Sequence, residues 1–248
     1  MSGLFSIAEE TQVIFSPGNV RYDNGTFSFA QQQIAVYAGE NAEIYHPHTD
    51  LFLITNGGGV LTYLNDDVTD RFNQWKDSMT EDWFIPTVSQ WKYLLSERKT
   101  STISGVGNAR FMKCTVRGTA CLVLFPDDFI FPDNVELPSK LRINDKVGDF
   151  SKVKYDYVAM KALEKAGCVL LPALNWDWER NDFTLNRISH GFDLPNAGRL
   201  ITGYYWALSN KDDDNNFHHF IFSSKHYQIV SHRQGLEYSA FMRFITLR

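Results

Sequence analysis

The sequence predicts an α+β domain of mostly antiparallel strands, two helices and long loops. Short apolar segments bounded by turn residues indicate strands in the first and last thirds of the chain, and two segments show helical periodicity. No repeat and no Pro/Ser-rich linker divides the 248 residues, so we expect a single domain over residues 1–248. Within it, residues 1–35 form an N-terminal β-hairpin region, and residues 204–248 supply the C-terminal strands and their loops.

The first third is predicted to be β structure. Residues 12–15 and 26–29 are short strand segments, and Asn24-Gly25 between them is a strong hairpin dipeptide. Residues 39–82 are rich in Asn, Asp, Gly and Thr, and we therefore expect mostly irregular loops there.

Two helices are expected in the middle of the chain. Thr87 and Gln90 have the spacing of a capping box, which begins a helix that runs to about residue 97 with Trp91, Leu94 and Leu95 on one apolar face. The second helix spans residues 155–166 and ends at Gly167. Its predicted apolar face consists of Tyr155, Val158, Ala159, Ala162, Leu163 and Ala166.

Strands are also predicted between and after the helices. Residues 111–125 read as a hairpin around a turn at Arg117-Gly118, and residues 121–125 are apolar enough to form a central strand. The later strand segments are residues 169–171, 203–206, 217–222, 228–231 and 240–246, with polar loops at 209–216 and 231–239.

The cysteines allow two interpretations. Counting outward from the Arg117-Gly118 turn places Cys114 opposite Cys121 in a hydrogen-bonded pair, where Cα atoms about 5.5 Å apart suit either a disulfide or two small buried thiols. The chain has 3 cysteines, and this odd, low count argues against a disulfide framework. Cys168 begins an apolar strand and is expected to be an inert core thiol.

Composition excludes several classes of protein. Hydrophobic residues make up 44% of the chain and aromatic residues 15%, which is too apolar for intrinsic disorder. The net charge of −5 and the lack of a basic stripe argue against nucleic-acid binding. No apolar run reaches the roughly 18 residues of a membrane helix, so no membrane insertion is expected, and no signal peptide is visible.

The motifs that suggest catalysis or metal binding are weak. Asn56-Gly-Gly-Gly59 lacks the Lys-Ser/Thr of a phosphate loop, and His46 and His48 lack further ligands at suitable spacing. His218 and His219 are adjacent in a strand, so we expect one to face solvent and the other the core. No nucleophile motif occurs. We therefore expect no enzyme activity, no cofactor and no metal.

Aromatic and short polar residues are concentrated late in the chain. Such residues are typical of recognition surfaces, because aromatic rings supply rigid contact area and Asn, Asp and His supply adaptable hydrogen bonds. For Trp206 and one of Tyr204 and Tyr205, burial in the core is an equal alternative. The predicted ligand-binding residues are Trp176, Trp178, Tyr205, Asn210, Asp212, Asp214, Asn216, Tyr227 and His232.

Several motifs occur in an order that resembles a known family. They are Phe5-Ser-Ile with Phe15-Ser-Pro-Gly-Asn19, Trp83-Phe-Ile-Pro with the helix to Leu95, Leu122-Val-Leu-Phe-Pro-Asp127, Gly167-Cys-Val-Leu-Leu-Pro-Ala173, Gly203-Tyr-Tyr-Trp206 and the closing Phe241-Met-Arg-Phe-Ile245. In this order they resemble a group of Bacteroidetes surface modules. That group is similar to the C-type-lectin-like fold in its sulfatase-modifying (formylglycine-generating-enzyme-like) variant, which is also found at the receptor-binding tips of phage tail fibres.

The resemblance implies a single C-type-lectin-like domain with one exposed binding face. Enzymes of that superfamily use paired cysteines late in the chain, and no cysteine follows Cys168 here. We therefore expect a non-enzymatic recognition or adhesion module that binds a cell-surface glycan or protein. The alternative is a structural component of a virion or surface assembly that uses the same face for protein packing. Either function implies a location outside the cell, at the cell surface or in a virion.

Overall fold

The computed structural model describes residues 2–36, 48–54, 60–62, 67–177, 182–184, 199–209, 217–232 and 240–248. These residues form an α+β structure with mostly antiparallel strand pairs, as predicted. The α-helices are α1 (Thr69–Asp77), α2 (Val88–Lys92) and α3 (Tyr157–Lys165). The strands are β1 (Phe5–Ala8), β2 (Thr11–Phe15), β3 (Val20–Asp23), β4 (Thr26–Phe29), β5 (His48–Thr49), β6 (Leu51–Ile54), β7 (Val60–Thr62), β8 (Phe111–Val116), β9 (Thr119–Leu124), β10 (Lys154–Tyr155), β11 (Val169–Pro172), β12 (Leu174–Asp177), β13 (Asp182–Thr184), β14 (Arg199–Ala207), β15 (Phe217–Ser223), β16 (Tyr227–His232), β17 (Ala240–Phe241) and β18 (Ile245–Leu247).

The predicted hairpin lies at the centre of a four-stranded sheet. Arg117 and Gly118 have φ of 49° and 86°, as the type I′ turn of a two-residue hairpin requires. The sheet order is β10-β8-β9-β11, which confirms the central position of β9. Alternate residues of β9 enter two different hydrophobic cores, Leu122 and Leu124 on one face and Cys121 and Val123 on the other. Both faces are therefore buried, and this explains the continuous apolar run.

The predicted register of the cysteines is confirmed. Cys114 pairs with Cys121, and both of these residues and Cys168 are fully buried free thiols. Burial raises the pKa of the Cys114 thiol to about 12 and raises the pKa values of Cys121 and Cys168 well above the ordinary value. All three thiols are therefore neutral and poor nucleophiles.

The first predicted helix is confirmed, including its cap. Thr87 Oγ1 accepts a hydrogen bond from the Gln90 amide at 3.3 Å, and Gln90 Oε1 accepts one from the Thr87 amide at 2.8 Å. α2 continues as a π-helical turn over Tyr93–Glu97. The predicted apolar face is buried: Trp91, Leu94 and Leu95.

The second predicted helix begins two residues later than expected. Asp156 caps α3 by accepting a hydrogen bond from the Ala159 amide at 2.8 Å, and Tyr155 belongs to β10 instead. The prediction that Val158 lies on the buried face is wrong, because this side chain is 64% exposed. The buried positions within α3 are Met160 and Leu163.

The prediction of mostly irregular structure over residues 39–82 is wrong for part of that range. Residues 69–77 form α1, whose buried contact is Phe72 with Trp75 packed beside it. A helix with so few apolar residues has a weak periodic signal. Its neighbour, the β3–β4 hairpin, matches the prediction, with positive φ at Asn24 and Gly25.

Two buried cationic side chains, Arg98 and Lys113, connect segments of the chain that are distant in sequence. Arg98 donates hydrogen bonds to the carbonyl oxygens of Leu94 and Phe125 and to the Asp127 carboxylate, at 2.6–2.7 Å. Burial lowers the pKa of Arg98 to about 10. Lys113 of β8 donates to the Ser223 carbonyl at the end of β15, at 2.6 Å, and burial lowers its pKa to about 8.

The last predicted strand is interrupted. Residues 240–246 form two short strands rather than one, and β17 and β18 join different sheets. β17 pairs with β14 and β6, whereas β18 pairs with β2, which also pairs with β1. The break allows the end of the chain to pass from the largest sheet to the N-terminal sheet.

Candidate functional site

Strand β14 sets the spacing of the predicted site residues. It runs from Arg199 to Ala207, so its ends are about 26 Å apart at roughly 3.3 Å per residue. The backbone of Trp176 lies in β12, where it pairs with Leu200 near the first end of β14. Its side chain lies outside the described part of the structure.

The second end of β14 is where two polar segments leave the sheet. Segment 210–216 connects β14 to β15, and segment 233–239 connects β16 to β17. Ala207 pairs with His218, and Phe217 pairs with His232, so these strand ends are neighbours. We call this edge the Ala207 end. The sheet thus separates Trp176 from the point where segment 210–216 begins.

Tyr205 is a core residue, which corrects its prediction as a ligand contact. Its side chain is fully buried, its hydroxyl donates to the Pro172 carbonyl at 3.1 Å, and it accepts from Asn19 Nδ2 at 3.4 Å. Burial raises the pKa of this hydroxyl. Tyr204 and Trp206 are buried as well, because both faces of β14 are covered.

Tyr227 is half-buried, and its ring packs against neighbouring side chains. The ring stacks on Phe111 at 4.9 Å, and Lys146 Nζ lies 5.7 Å from the ring centroid. The Tyr227 hydroxyl is buried and makes no hydrogen bond to any part of the chain that the structure describes. Burial raises the pKa of this hydroxyl well above its ordinary value.

Most of the other predicted residues lie outside the described residues. The backbone of His232 is described, as the last residue of β16, but its side chain is not. The predicted ligand-binding residues outside the described ranges are Trp178, Asn210, Asp212, Asp214 and Asn216, and the weaker motifs His46 and Asn56-Gly-Gly-Gly59 lie there too.

The prediction for the adjacent histidines is wrong. His218 and His219 are both buried, so neither faces solvent. They point to opposite faces of β15, but both faces of this strand are covered. The His219 ring lies 4.1 Å from the Trp206 ring, whose Nε1 donates to the Phe52 carbonyl at 2.7 Å.

The Ala207 end is anchored to α2. The Leu208 amide donates to the Pro86 carbonyl, and the Val88 amide donates to the Leu208 carbonyl, each at 3.0 Å. Trp91 Nε1 donates to the Trp206 carbonyl at 3.2 Å. The capped helix therefore fixes the backbone two residues before Asn210.

A cleft of about 370 Å³, which we call the β2 cleft, lies elsewhere on the molecule. The sequence did not reveal it, because its walls come from distant parts of the chain. The lining residues are Ser2, Ile14, Phe15, Ser16, Pro17, Gln31, Gln33, Glu81, Trp83, Glu164 and Arg248. The one feature of the local sequence that could have indicated the cleft was Trp83, a large aromatic residue that follows the acidic residues Glu81 and Asp82.

The lining of the β2 cleft contains both ion-paired side chains and polar groups that make no hydrogen bond to the described chain. Arg248 Nη2 contacts both carboxylate oxygens of Glu81, at 2.7 and 2.8 Å, and Glu164 accepts from Lys161 at 2.7 Å. The Gln31 amide and the Trp83 indole N–H make no hydrogen bond to the described chain. These two groups are available to a ligand.

Among the described residues, no group of three or more His, Cys, Asp or Glu side chains is placed to hold a metal ion. Within the same residues, no helix is long and apolar enough to cross a membrane. Comparison of the chain with protein families, with curated proteins and with solved structures found no match.

Proposed function

We propose that this chain is a non-enzymatic recognition module that binds a glycan or a protein on a cell surface through the Ala207 end of its largest sheet. The observation that carries the proposal is that the strand ends flanking segments 210–216 and 233–239 are neighbours there, since Ala207 pairs with His218 and Phe217 pairs with His232. In sequence, segment 210–216 consists of Asn, Asp and Lys, and segment 233–239 includes Gln, Tyr and Ser. With His232 directly before the second segment, these residue types suit adaptable recognition. Binding loops on a rigid scaffold are a common arrangement in proteins.

Rigidity of the scaffold supports this choice of face. Leu208 is held on both sides by the backbone around the cap of α2, and Trp91 adds a side-chain bond from the same helix. A loop whose first residue is fixed loses less entropy when it closes on a ligand. The proposed ligand-binding residues at this end are Asn210, Asp212, Asp214, Asn216 and His232.

We also propose that the domain belongs to the C-type-lectin-like superfamily and acts outside the cell, at the cell surface or in a virion. The order of sequence motifs supports this proposal, and the mostly antiparallel sheets with flanking helices are compatible with it. The odd cysteine count and the inert thiols agree with a role that does not use cysteine chemistry.

The test is a binding screen on an array of defined mammalian and microbial glycans and cell-surface proteins. The 248-residue chain is compared with a triple variant, Asn210→Ala with Asp212→Ala and Asp214→Ala. We expect the triple variant to lose at least tenfold in affinity for whichever probe the parent chain binds. Its unfolding midpoint should stay that of the parent.

Trp178 was also predicted as a ligand contact, but the proposed face leaves it out, because it follows Asp177 and Asp177 pairs with Arg199 at the opposite end of β14. Trp178→Ala is therefore the matched control. We expect this variant to bind like the parent. Loss of binding in Trp178→Ala with full binding in the triple variant would assign recognition to the opposite end. Tyr205→Ala is unsuitable as a probe, since it would open a cavity in the core.

A second candidate is a structural role in a virion or surface assembly. A concentration of exposed large apolar side chains in one part of the chain favours it, since contiguous exposed apolar patches mark protein contacts. Most of those that are more than half exposed fall in one stretch, namely Ile130, Leu137, Leu141, Val147 and Val158, whereas Leu247 lies outside it. Stable incorporation of the chain into purified particles, without binding to any free probe, would support assembly over recognition.

A further inference from the structure

The β2 cleft has a fixed apolar wall. Ile14 and Phe15 of β2 are buried side chains of the N-terminal sheet, and Trp83 packs edge-on against Phe29 with ring centroids 5.5 Å apart. The volume of about 370 Å³ lies within the range of small-molecule sites. Because Ile14 and Phe15 are buried, the half-buried ring of Trp83 supplies the apolar surface that a small ligand can reach.

The polar groups of the cleft supply donors and acceptors without a surplus of charge. Glu81 is neutralised by Arg248, and Glu164 by Lys161, yet each carboxylate keeps lone pairs for further hydrogen bonds. Gln31 adds an unpaired amide, and Trp83 adds an unpaired N–H. Such a set favours a neutral ligand whose groups both donate and accept.

A buried network holds the inner side of the cleft. Gln33 Oε1 accepts from the Leu170 amide at 2.8 Å and from Arg243 Nη2 at 2.6 Å, and Gln33 Nε2 donates to the Cys168 carbonyl at 3.1 Å. Arg243 is itself fully buried, with Nη1 directed to Asn19 Oδ1 at 3.4 Å. A lining residue whose rotamer is locked in this way makes a preorganised site.

We infer that the β2 cleft binds a neutral saccharide. A sugar ring presents an apolar C–H face, which suits the indole of Trp83, and a rim of hydroxyls, each of which donates and accepts. The hydroxyls match the mixed rim of Gln31, Glu81, Glu164 and Arg248. The inference is separate from the proposed function, because none of the residues of the cleft belongs to β14, β15 or β16.

Indole N–H signals in NMR spectra of the ¹⁵N-labelled 248-residue chain test the inference. The Trp83 signal is assigned by its loss in Trp83→Phe, and the chain is titrated with glucose, galactose, mannose and N-acetylglucosamine. We expect at least one sugar to shift the Trp83 signal saturably in the millimolar range. The signals of Trp91 and Trp206 should not move, because both indoles donate to backbone carbonyls in the core.

Two neighbouring glutamines provide the variant and its control. Gln31→Ala removes an exposed amide of the cleft and should weaken sugar binding about fivefold, the effect of one hydrogen bond. Gln32→Ala removes an equally exposed amide that does not line the cleft and should change nothing. The inference fails if no sugar shifts Trp83, if both variants weaken binding equally, or if inorganic phosphate alone produces the shift.

Discussion

Replacement of Arg98 by methionine should destabilise the fold by about 3–5 kcal/mol, the cost of breaking a buried ion pair from one side. Arg98 is fully buried and lies between α2, β9 and the segment that follows β9. The methionine side chain is similar in length to the aliphatic part of arginine, so the substitution leaves only a small cavity. The measured change in stability therefore reports mainly the loss of the guanidinium group.

The magnitude follows from the partners that the guanidinium leaves behind. The carbonyl oxygens of Leu94 and Phe125 lose charge-assisted donors at 2.6 and 2.7 Å, and the Asp127 carboxylate loses its cation at 2.7 Å. Asp127 keeps part of its compensation, because its second oxygen accepts from the Ser6 amide and hydroxyl at 2.8 and 2.6 Å. We therefore expect the lower half of the range, about 3–4 kcal/mol.

Urea unfolding followed by tryptophan fluorescence measures the effect. With an m-value of about 3 kcal/mol/M, a loss of 3–4 kcal/mol lowers the midpoint by about 1 to 1.3 M. Arg142→Met is the control, since Arg142 and Asp145 form a partly exposed pair at 3.3 Å, worth less than about 1 kcal/mol. Equal midpoints for the two variants would refute the assignment of Arg98 as a structural cation.

Three further predictions concern stability. Burial lowers the pKa of Lys113 to about 8. Between about pH 8 and the ordinary pKa of 10.5, the unfolded chain therefore binds more protons than the folded chain, and stability rises with pH. Lys113→Met should make this rise smaller, which urea midpoints measured across that pH range will show. Thr87→Ala removes the cap of α2 and should cost about 1 kcal/mol in the same assay, whereas no change would mean that the cap is dispensable. Gly203→Ala would press a Cβ into the ring of Phe222 and should cost about 1–3 kcal/mol in thermal unfolding, whereas Gly107→Ala, whose Cβ would meet Thr102 Oγ1 at 3.9 Å, should cost less.

Local features of the fold were predictable from the sequence. The turns at Asn24-Gly25 and Arg117-Gly118 and the capping box at Thr87 depend on residues that are adjacent in the chain, and all three are present. The central position of β9 was predictable for a similar reason, because a strand covered on both faces has apolar side chains at every position.

Features that depend on distant contacts were not predictable. Residue type does not distinguish a core tyrosine from a surface tyrosine, and Tyr205 is buried only because β15 and β17 flank it. The starting residue of α3 depends on whether Asp156 caps it, and Val158 is exposed because it lies about 200° around the helix axis from the buried Met160. The β2 cleft joins residues from both ends of the chain, so its existence did not follow from the local feature at Trp83.

The buried tryptophans connect the core of the fold to the Ala207 end. Trp91 donates its indole N–H to the carbonyl of Trp206, and Trp206 donates its own to the carbonyl of Phe52, so the two rings connect α2, β14 and β6 in series. Under the proposed function, an aromatic ring of this kind would contribute to recognition indirectly, because it holds the strand that precedes segment 210–216. Loss of binding in a Trp91→Phe variant would therefore reflect the position of the Ala207 end, and only substitutions beyond Leu208 can identify the atoms that touch a ligand.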